Sequence, residues 1–234
     1  MKQYKRVLLK LSGEALAGDK KTGFDEATCI QVANQVKQLV DQGIEVGIVI
    51  GGGNFWRGRT SNTIDRTKAD QIGMLATIMN CIYVSEIFRH VGMNTQILTP
   101  FECGSMTKLF SKDRANKYFG KGMVVFFAGG TGHPYFSTDT GIALRAIEMD
   151  ADVILCAKAI DGVYDSDPKV NKDAKKYDEV SFQEVLDKKL AVIDLTATIM
   201  CLENKMPLLV FGLNEENSIV NSVSGKFTGT RVTV

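Results

Sequence analysis

Short apolar runs alternate along the chain with longer stretches in which apolar positions recur every three or four residues. That alternation is the pattern of parallel strands joined by crossover helices. The runs predict strands at Arg6 to Leu11, Glu45 to Ile50, Thr95 to Thr99, Gly122 to Ala128, Val153 to Cys156, Leu208 to Phe211 and Thr230 to Val234. Between the first two, Asp25 to Gln42 places Ile30, Ala33, Val36, Leu39 and Val40 on one helical face and stops at Gly43. A longer helix is predicted from Asp70 to Val91, with Ile72, Leu75, Ile78, Met79, Ile82 and Phe88 in register and Gly92 closing it. Its apolar stripe is broad, which suits core packing or burial against another subunit. Ser137 to Met149 predicts a helix opening on Ser-Thr-Asp, Ser181-Phe-Gln-Glu184 is a capping-box pattern, and Thr196 to Asn204 predicts one more helix before Pro207. The polar stretch 165–178 is expected to be irregular, and no repeat or linker divides the chain.

A chain of 234 residues, 44% hydrophobic, is long enough for one large α/β domain spanning 1–234. With 28 basic against 27 acidic residues, no positive excess exists to drive sequence-independent binding, so no nucleic-acid partner is expected. The N-terminal Val7-Leu8-Leu9 is cut short by Lys10 and makes no signal segment, and no stretch approaches the roughly 18 apolar residues of a membrane span. The expectation is a cytoplasmic protein without membrane contact. Cys29, Cys81, Cys103, Cys156 and Cys201 are scattered and odd in number, with no CxxC pair and only two histidines. They read as buried free thiols, with a reactive cysteine the lesser alternative, and no resident metal site is expected.

The candidate chemistry lies where strands end. Lys10-Leu11-Ser12-Gly13 brings a cation, a hydroxyl and a glycine to the carboxyl end of the first strand, the edge where ligands bind in open parallel sheets. Lys10 is either a solvated surface residue or a point charge for phosphate. Gly51-Gly52-Gly53-Asn54, followed by Arg57-Gly58-Arg59, ends the second. Three successive glycines cost chain entropy without packing, so close backbone approach or positive φ is the economical explanation, and Arg57 adds a charged fork suited to phosphate. A third loop, Gly129-Gly130-Thr131-Gly132-His133-Pro134-Tyr135-Phe136-Ser137-Thr138-Asp139, enters a helix N-terminus, where amides, hydroxyls and dipole favour an anion. Asp139 is read either as that helix's cap or as a carboxylate that orients a lysine or helps hold a metal. His133 is read as a spectator, because phosphoryl transfer needs charge and positioning more than proton abstraction. Neither GxxxxGK[ST] nor GxGxxG after a strand occurs, which excludes a Walker-type site and an ordinary dinucleotide fold.

Taken together, Lys10-Leu-Ser-Gly13, Gly51-Gly-Gly-Asn54 with Arg57-Gly58, Asp70 with Gly73-Met-Leu-Ala-Thr77, Gly129 to Asp139, and Asp161-Gly-Val-Tyr-Asp-Ser-Asp-Pro168 resemble the amino-acid-kinase superfamily and, within it, the bacterial uridylate kinases. The resemblance implies a three-layer α/β/α sandwich with a central, mostly parallel sheet. It also implies transfer of the γ-phosphoryl group of ATP to UMP, with Mg2+ carried on the phosphates, in pyrimidine biosynthesis. Lys10, Leu11, Ser12 and Gly13 would serve ATP, Lys10 stabilising the transferred group together with Arg57 and Asp139. Gly53 and Arg57 would meet the phosphates near the point of transfer, and Tyr164 and Asp167 the adenine nucleotide. Gly52 and Asp70 would bind UMP, and Thr131, Gly132, His133, Pro134, Tyr135, Phe136, Ser137 and Thr138 would enclose it. Related enzymes often carry threonine or asparagine where this chain has Lys158, which is taken as the corresponding ATP contact. A homohexamer built from dimers through the long helix, activation by GTP and inhibition by UTP are further implications. The loop Gly18 to Gly23 lies where the GTP-responsive segment falls, and is equally an ordinary polar loop. Two other readings stay open: a relative that phosphorylates a small acid such as acetylglutamate, aspartate or glutamate, and a nucleotide-binding sensor that lacks transfer.

Overall fold

The computed structural model describes residues 4–56 and 63–234. Among them, nine strands form one sheet in the order β4-β3-β5-β2-β1-β6-β10-β11-β9. These are β1 (Arg6–Leu11), β2 (Glu45–Ile50), β3 (Thr95–Thr99), β4 (Lys108–Leu109), β5 (Val124–Phe127), β6 (Val153–Lys158), β9 (Glu179–Ser181), β10 (Leu208–Gly212) and β11 (Thr230–Thr233). A separate hairpin pairs β7 (Val163–Tyr164) with β8 (Lys176–Tyr177). Every pairing in the large sheet is parallel except β10 with β11. The helices are α1 (Gly13–Ala17), α2 (Glu26–Asp41), α3 (Arg66–His90), α4 (Lys112–Phe119), α5 (Thr138–Glu148), α6 (Phe182–Asp187), α7 (Leu195–Glu203) and α8 (Ser218–Val223).

Alternation along the strands sorts the core into two layers. Val7, Leu9 and Leu11 of β1 join Val46, Ile48 and Ile50 of β2 under α2, α3 and α8. Leu8, Val49, Val125 and Phe127 point the other way and pack beneath α4, α5, α6 and α7. The α/β/α sandwich is therefore a consequence of strands that are apolar on both faces. Lys10 shares the face of Leu8, so the period of two carries its stem toward the α5 layer.

The seven predicted strands are all present within a few residues, and Ser181 caps α6, its Oγ accepting from the Glu184 amide at 3.1 Å, the first half of the capping-box pattern. Asp25 caps α2 by accepting from Thr28 N at 2.8 Å. Several elements depart from the sequence reading, which gave no β4, β7, β9, α1 or α8; three further departures are instructive. The stretch 165–178, expected to be irregular, contributes β8 and so closes a hairpin on β7. The helix α4 had no periodic signal, since it is short and buries only Ala115 and Phe119. The long helix begins at Arg66, one turn earlier than predicted, behind an Asp65 cap.

That helix is also more apolar than the sequence reading allowed, because an 18-residue window within it reaches a mean hydropathy of 1.3, enough in length and composition to cross a membrane. Its Ile78, Cys81, Val84 and Phe88 lie in the core against the sheet, and it buries the polar side chains of Thr77, Asn80 and Ser85, each hydrogen-bonded, which is the behaviour of a core helix. Cys29, Cys81, Cys156 and Cys201 are buried free thiols, and burial pushes Cys29 up to about 11 and Cys201 up to about 12. They remain protonated and unreactive at neutral pH.

The antiparallel return onto β10 depends on Gly229, where an added Cβ would stand 2.0 Å from the Val210 carbonyl oxygen and 2.8 Å from the Phe227 ring. Gly229→Ala is expected to cost about 1–3 kcal/mol, and thermal unfolding followed by circular dichroism should show a midpoint lower by roughly 2–4 °C per kcal/mol. An unchanged midpoint would contradict this packing.

Candidate active site

The strands β5, β2, β1 and β6 are neighbours and parallel, so their carboxyl ends share one edge. The chain leaves β1 for β2 on one side and returns to β6 on the other, which opens a crevice beyond the end of β1. Lys10 stands there, its side chain 15% exposed, ion-paired with Asp139 in the first turn of α5. Ser137, not Asp139, caps α5: its Oγ accepts from the Asp139 amide at 3.0 Å. Of the two readings of Asp139, the geometry selects the one that holds a lysine.

Asp139 is fixed in turn by Asp194, whose backbone amide donates to Asp139 Oδ2 at 3.3 Å. The Asp194 carboxylate caps α7 through Ala197 N at 2.8 Å, and accepts from Thr140 Oγ1 at 3.0 Å and from Ser137 Oγ. Lys10 thus lies near two helix N-termini joined through Asp194, the cap of α7, which bonds to Ser137 and Asp139 of α5. Burial alone would lower its pKa, but Asp139 first, then Cys156 and Asp194, outweigh it and hold the ammonium above its usual 10.5. A raised folded value means that the pair's contribution to stability is fully present below 10.5 and is lost as pH rises through the folded value.

The glycines divide into two kinds. Gly51, Gly52 and Gly53 are not at positive φ; neighbouring groups press on Gly52 and Gly53, while a Cβ on Gly51 would meet nothing nearer than 3.6 Å. A Cβ on Gly52 would meet Ala76 Cβ and Gly73 O at 3.0 Å, and one on Gly53 would meet Glu14 Oε1 at 2.5 Å. Gly129, Gly130 and Gly132 do take positive φ, at 79°, 61° and 88°, and Gly130 faces open space. Gly129 N donates to Thr77 Oγ1 of α3 at 2.9 Å, which pins this loop's start.

A cavity of about 130 Å³ lies against these loops, lined by Gly52, Trp56, Asp70, Thr77, Gly130, Thr131, His133 and residues 136–138, among others. Asp70 Oδ2 accepts from Arg66 Nε at 2.9 Å and from the Tyr135 amide at 2.8 Å, and Tyr135 is held at φ 71°. Trp56 is locked as a wall by its Nε1 donating to Ala69 O at 2.8 Å. A second cavity of about 330 Å³ is lined by Tyr164 and Asp167, with Gly162 and residues 188–191 opposite. Tyr164 donates to Asp161 Oδ1 at 2.7 Å, and Lys176 pairs with Asp161 Oδ2 at 2.7 Å, which depresses the Asp161 pKa despite its partial burial.

The structure therefore gathers Lys10, Ser12, Gly13, Gly52, Gly53 and Asp139 at one edge, puts Asp70 with the 131–138 loop around one cavity, and places Tyr164 and Asp167 on another. The Leu11 side chain is wholly in the core, leaving only its backbone to the site. Lys158, at the end of β6, turns its ammonium onto the Val192 carbonyl oxygen, behind the loop that lines the second cavity. Arg57 lies outside the described residues. Sequence reasoning missed Asp194 and Trp56. The only signal for Asp194 was a carboxylate directly before an apolar helical run, the mark of an N-cap.

Residues 5–212 match the amino acid kinase family. Among solved structures, the UMP kinase from Bacillus anthracis is 36% identical to this chain, covers 99% of it and 97% of its own length, and superposes with a TM-score of 0.95. The UMP kinase from Ureaplasma parvum is also 36% identical, with all of both chains covered and a TM-score of 0.93. The uridylate kinase from Archaeoglobus fulgidus is 25% identical over 97% of this chain and 99% of its own, with a TM-score of 0.76.

Asp139→Asn removes the largest of the groups that raise the Lys10 pKa and leaves burial in place. Competitive labelling of Lys10 with an amine reagent across a pH series is expected to show its titration moved to lower pH in the variant. A titration that did not move would mean that Asp139 does not hold the charge.

Proposed function

The chain belongs to the amino acid kinase family, and on that premise we propose that it transfers the γ-phosphoryl group of ATP to UMP, giving UDP and ADP, as a step of pyrimidine nucleotide biosynthesis. The observation that carries this reading is the convergence of a paired Lys10 and Asp139 with glycine loops from β1, β2 and β5 beside a cavity that offers Asp70. A small-acid acceptor would have no use for Asp70, whereas a ribose hydroxyl would. The resemblance to UMP kinases over the whole chain supports the same acceptor.

UMP would lie against Trp56 with its ribose toward Asp70 and the 131–138 loop around it. The adenine nucleotide would use the cavity of Tyr164 and Asp167, with its phosphates reaching Ser12, Gly13 and Lys10. Lys10 would neutralise charge on the group in flight, joined by Arg57 and by the amides at the start of α5. Asp139 keeps that lysine charged and aimed. Among the described residues no three His, Cys, Asp or Glu side chains converge; the ion in this proposal comes in on the nucleotide phosphates. Mg2+ carried in on the nucleotide would supply positive charge against that of the phosphates.

The reading extends to assembly and control. The chain would act as one domain and associate through α3, whose Ile72, Leu75 and Met79 are 39%, 55% and 47% exposed at helical spacing. A homohexamer built on such a dimer is the form proposed. GTP activation and UTP inhibition are proposed with it, and Gly23 supplies a physical route because it accepts from Asn54 Nδ2 at 2.8 Å, joining the 18–23 segment to the second glycine loop.

ADP release, measured with ATP, Mg2+ and separately UMP, CMP, dUMP, AMP or glutamate, is expected to be strongest with UMP. Because Trp56 is the chain's one tryptophan, UMP alone should also change its emission. Lys10→Ala should lower kcat by about 10²–10³ while keeping that emission change. Silence with every nucleotide, or turnover of glutamate instead, would reject the proposal, and saturation curves unmoved by GTP would remove the regulatory part.

A further inference from the structure

We infer that Asn80 is a positioning residue, and that its side chain fixes the gap between the phosphate loops at the ends of β1 and β2. The inference rests on the phosphoryl-transfer reading above. Asn80 sits in the middle of α3 with no exposure, one turn from the buried Ala76, Thr77 and Val84. An amide there is costly unless every donor is used. Each one is. Asn80 Nδ2 donates to Gly51 O at 2.7 Å and to Asn54 Oδ1 at 2.8 Å, and Asn80 Oδ1 accepts from Asn54 Nδ2 at 3.0 Å. The second Asn54 proton goes to Gly23 O at 2.8 Å. Turning either amide over would set oxygen against the carbonyl oxygen of Gly51 or Gly23, so the hydrogen-bond pattern admits one orientation.

This reciprocal amide pair is also where the β1 loop comes to rest. A Cβ on Gly13 would lie 2.4 Å from Asn54 Oδ1, 2.4 Å from Gly51 O and 3.1 Å from Asn80 Nδ2. Gly13 can sit there only because it has no side chain, and Gly51 N in turn donates to Leu11 O at 3.0 Å. One turn earlier on α3, Thr77 holds the third loop through Gly129 N. A single helix therefore sets three loops against one another: Thr77 fixes the loop after β5, and Asn80 fixes the loop after β2, on which the loop after β1 is stacked. Packing alone would be met by leucine at this position. An amide adds a defined spacing between loops that carry donor and acceptor phosphates, and a misplacement of about 1 Å there costs about 100-fold in rate.

The test compares full-length wild type with Asn80→Leu, which keeps the branching pattern but replaces the amide nitrogen and oxygen by methyls, and Asn80→Asp, which keeps the shape but cannot donate to Gly51 O when ionised. Thermal unfolding, amide hydrogen exchange and separate kcat and KM values for ATP and UMP are measured. Both variants are expected to unfold cooperatively, with exchange in 11–14 and 50–54 faster by about tenfold and exchange in α2 and β10 unchanged. kcat should fall by roughly 30- to 100-fold with KM for UMP moved by less than about threefold, because Asp70 and Trp56 are untouched. Asn54→Ala opens the same pair from the loop side. It should give the same exchange pattern, and combining it with Asn80→Leu should add little further loss. Unchanged loop exchange, or kcat near wild type in a variant whose loops exchange fast, would overturn the inference. So would a loss of kcat that simply tracks the unfolded fraction. If wild type failed to turn over UMP, the functional reading would fall, while the exchange measurement would still decide whether Asn80 sets the loops.

Discussion

An ammonium carried on a strand between two apolar layers must be answered by a carboxylate or lose its proton. Lys10 is that ammonium, and much of the architecture at this edge follows from answering it. Asp139 can reach it only if α5 starts where Ser137 caps it. Ser137 in turn bonds Asp194, which starts α7. The start points of two helices on one face of the sheet are thus locked to one charge on its central strand. The loop between β5 and α5, which walls the smaller cavity, is delimited by the same lock.

The opposite face contributes rigidity of a different kind. Among the described residues no charged side chain is buried there; α3 offers Thr77 and Asn80 to backbone groups of the glycine loops and Ala76 to Gly52. Electrostatics from the α5 side and short hydrogen bonds from the α3 side meet at the ends of β1 and β2. Gly13, Gly52 and Gly53 there are small because neighbouring groups close on the backbone, whereas Gly129, Gly130 and Gly132 after β5 take left-handed geometry.

The layers and the loops were legible in the sequence because each has a period or a composition that only one local structure suits. Residues 6–11 and 45–50 read as strands on both counts, and three consecutive glycines announced a crowded backbone even though positive φ proved not to be the reason. What could not be read was anything set by contacts distant in sequence. Asp194 acts on residues 54 to 57 positions away. Asn80 carried no signal of its own, since its partners are 26 and 29 positions off. Trp56 became a cavity wall only once Ala69 was seen to hold its indole. The strand β8 escaped because two residues carry no period, and the lysine at 158 could be placed at a strand end but not aimed.

The two outer strands of the large sheet have a bearing on the protein's behaviour in concentrated solution. β4 is two residues long and β9 three, so the sheet tapers at both ends. An open strand edge is a template on which a foreign strand can add, and the shorter the edge the fewer backbone groups it offers. Among the described residues, the sheet's ladder is thus nearly closed to recruitment. Any association of copies would then fall to side chains on helix surfaces, and the taper works against fibrous growth by strand addition.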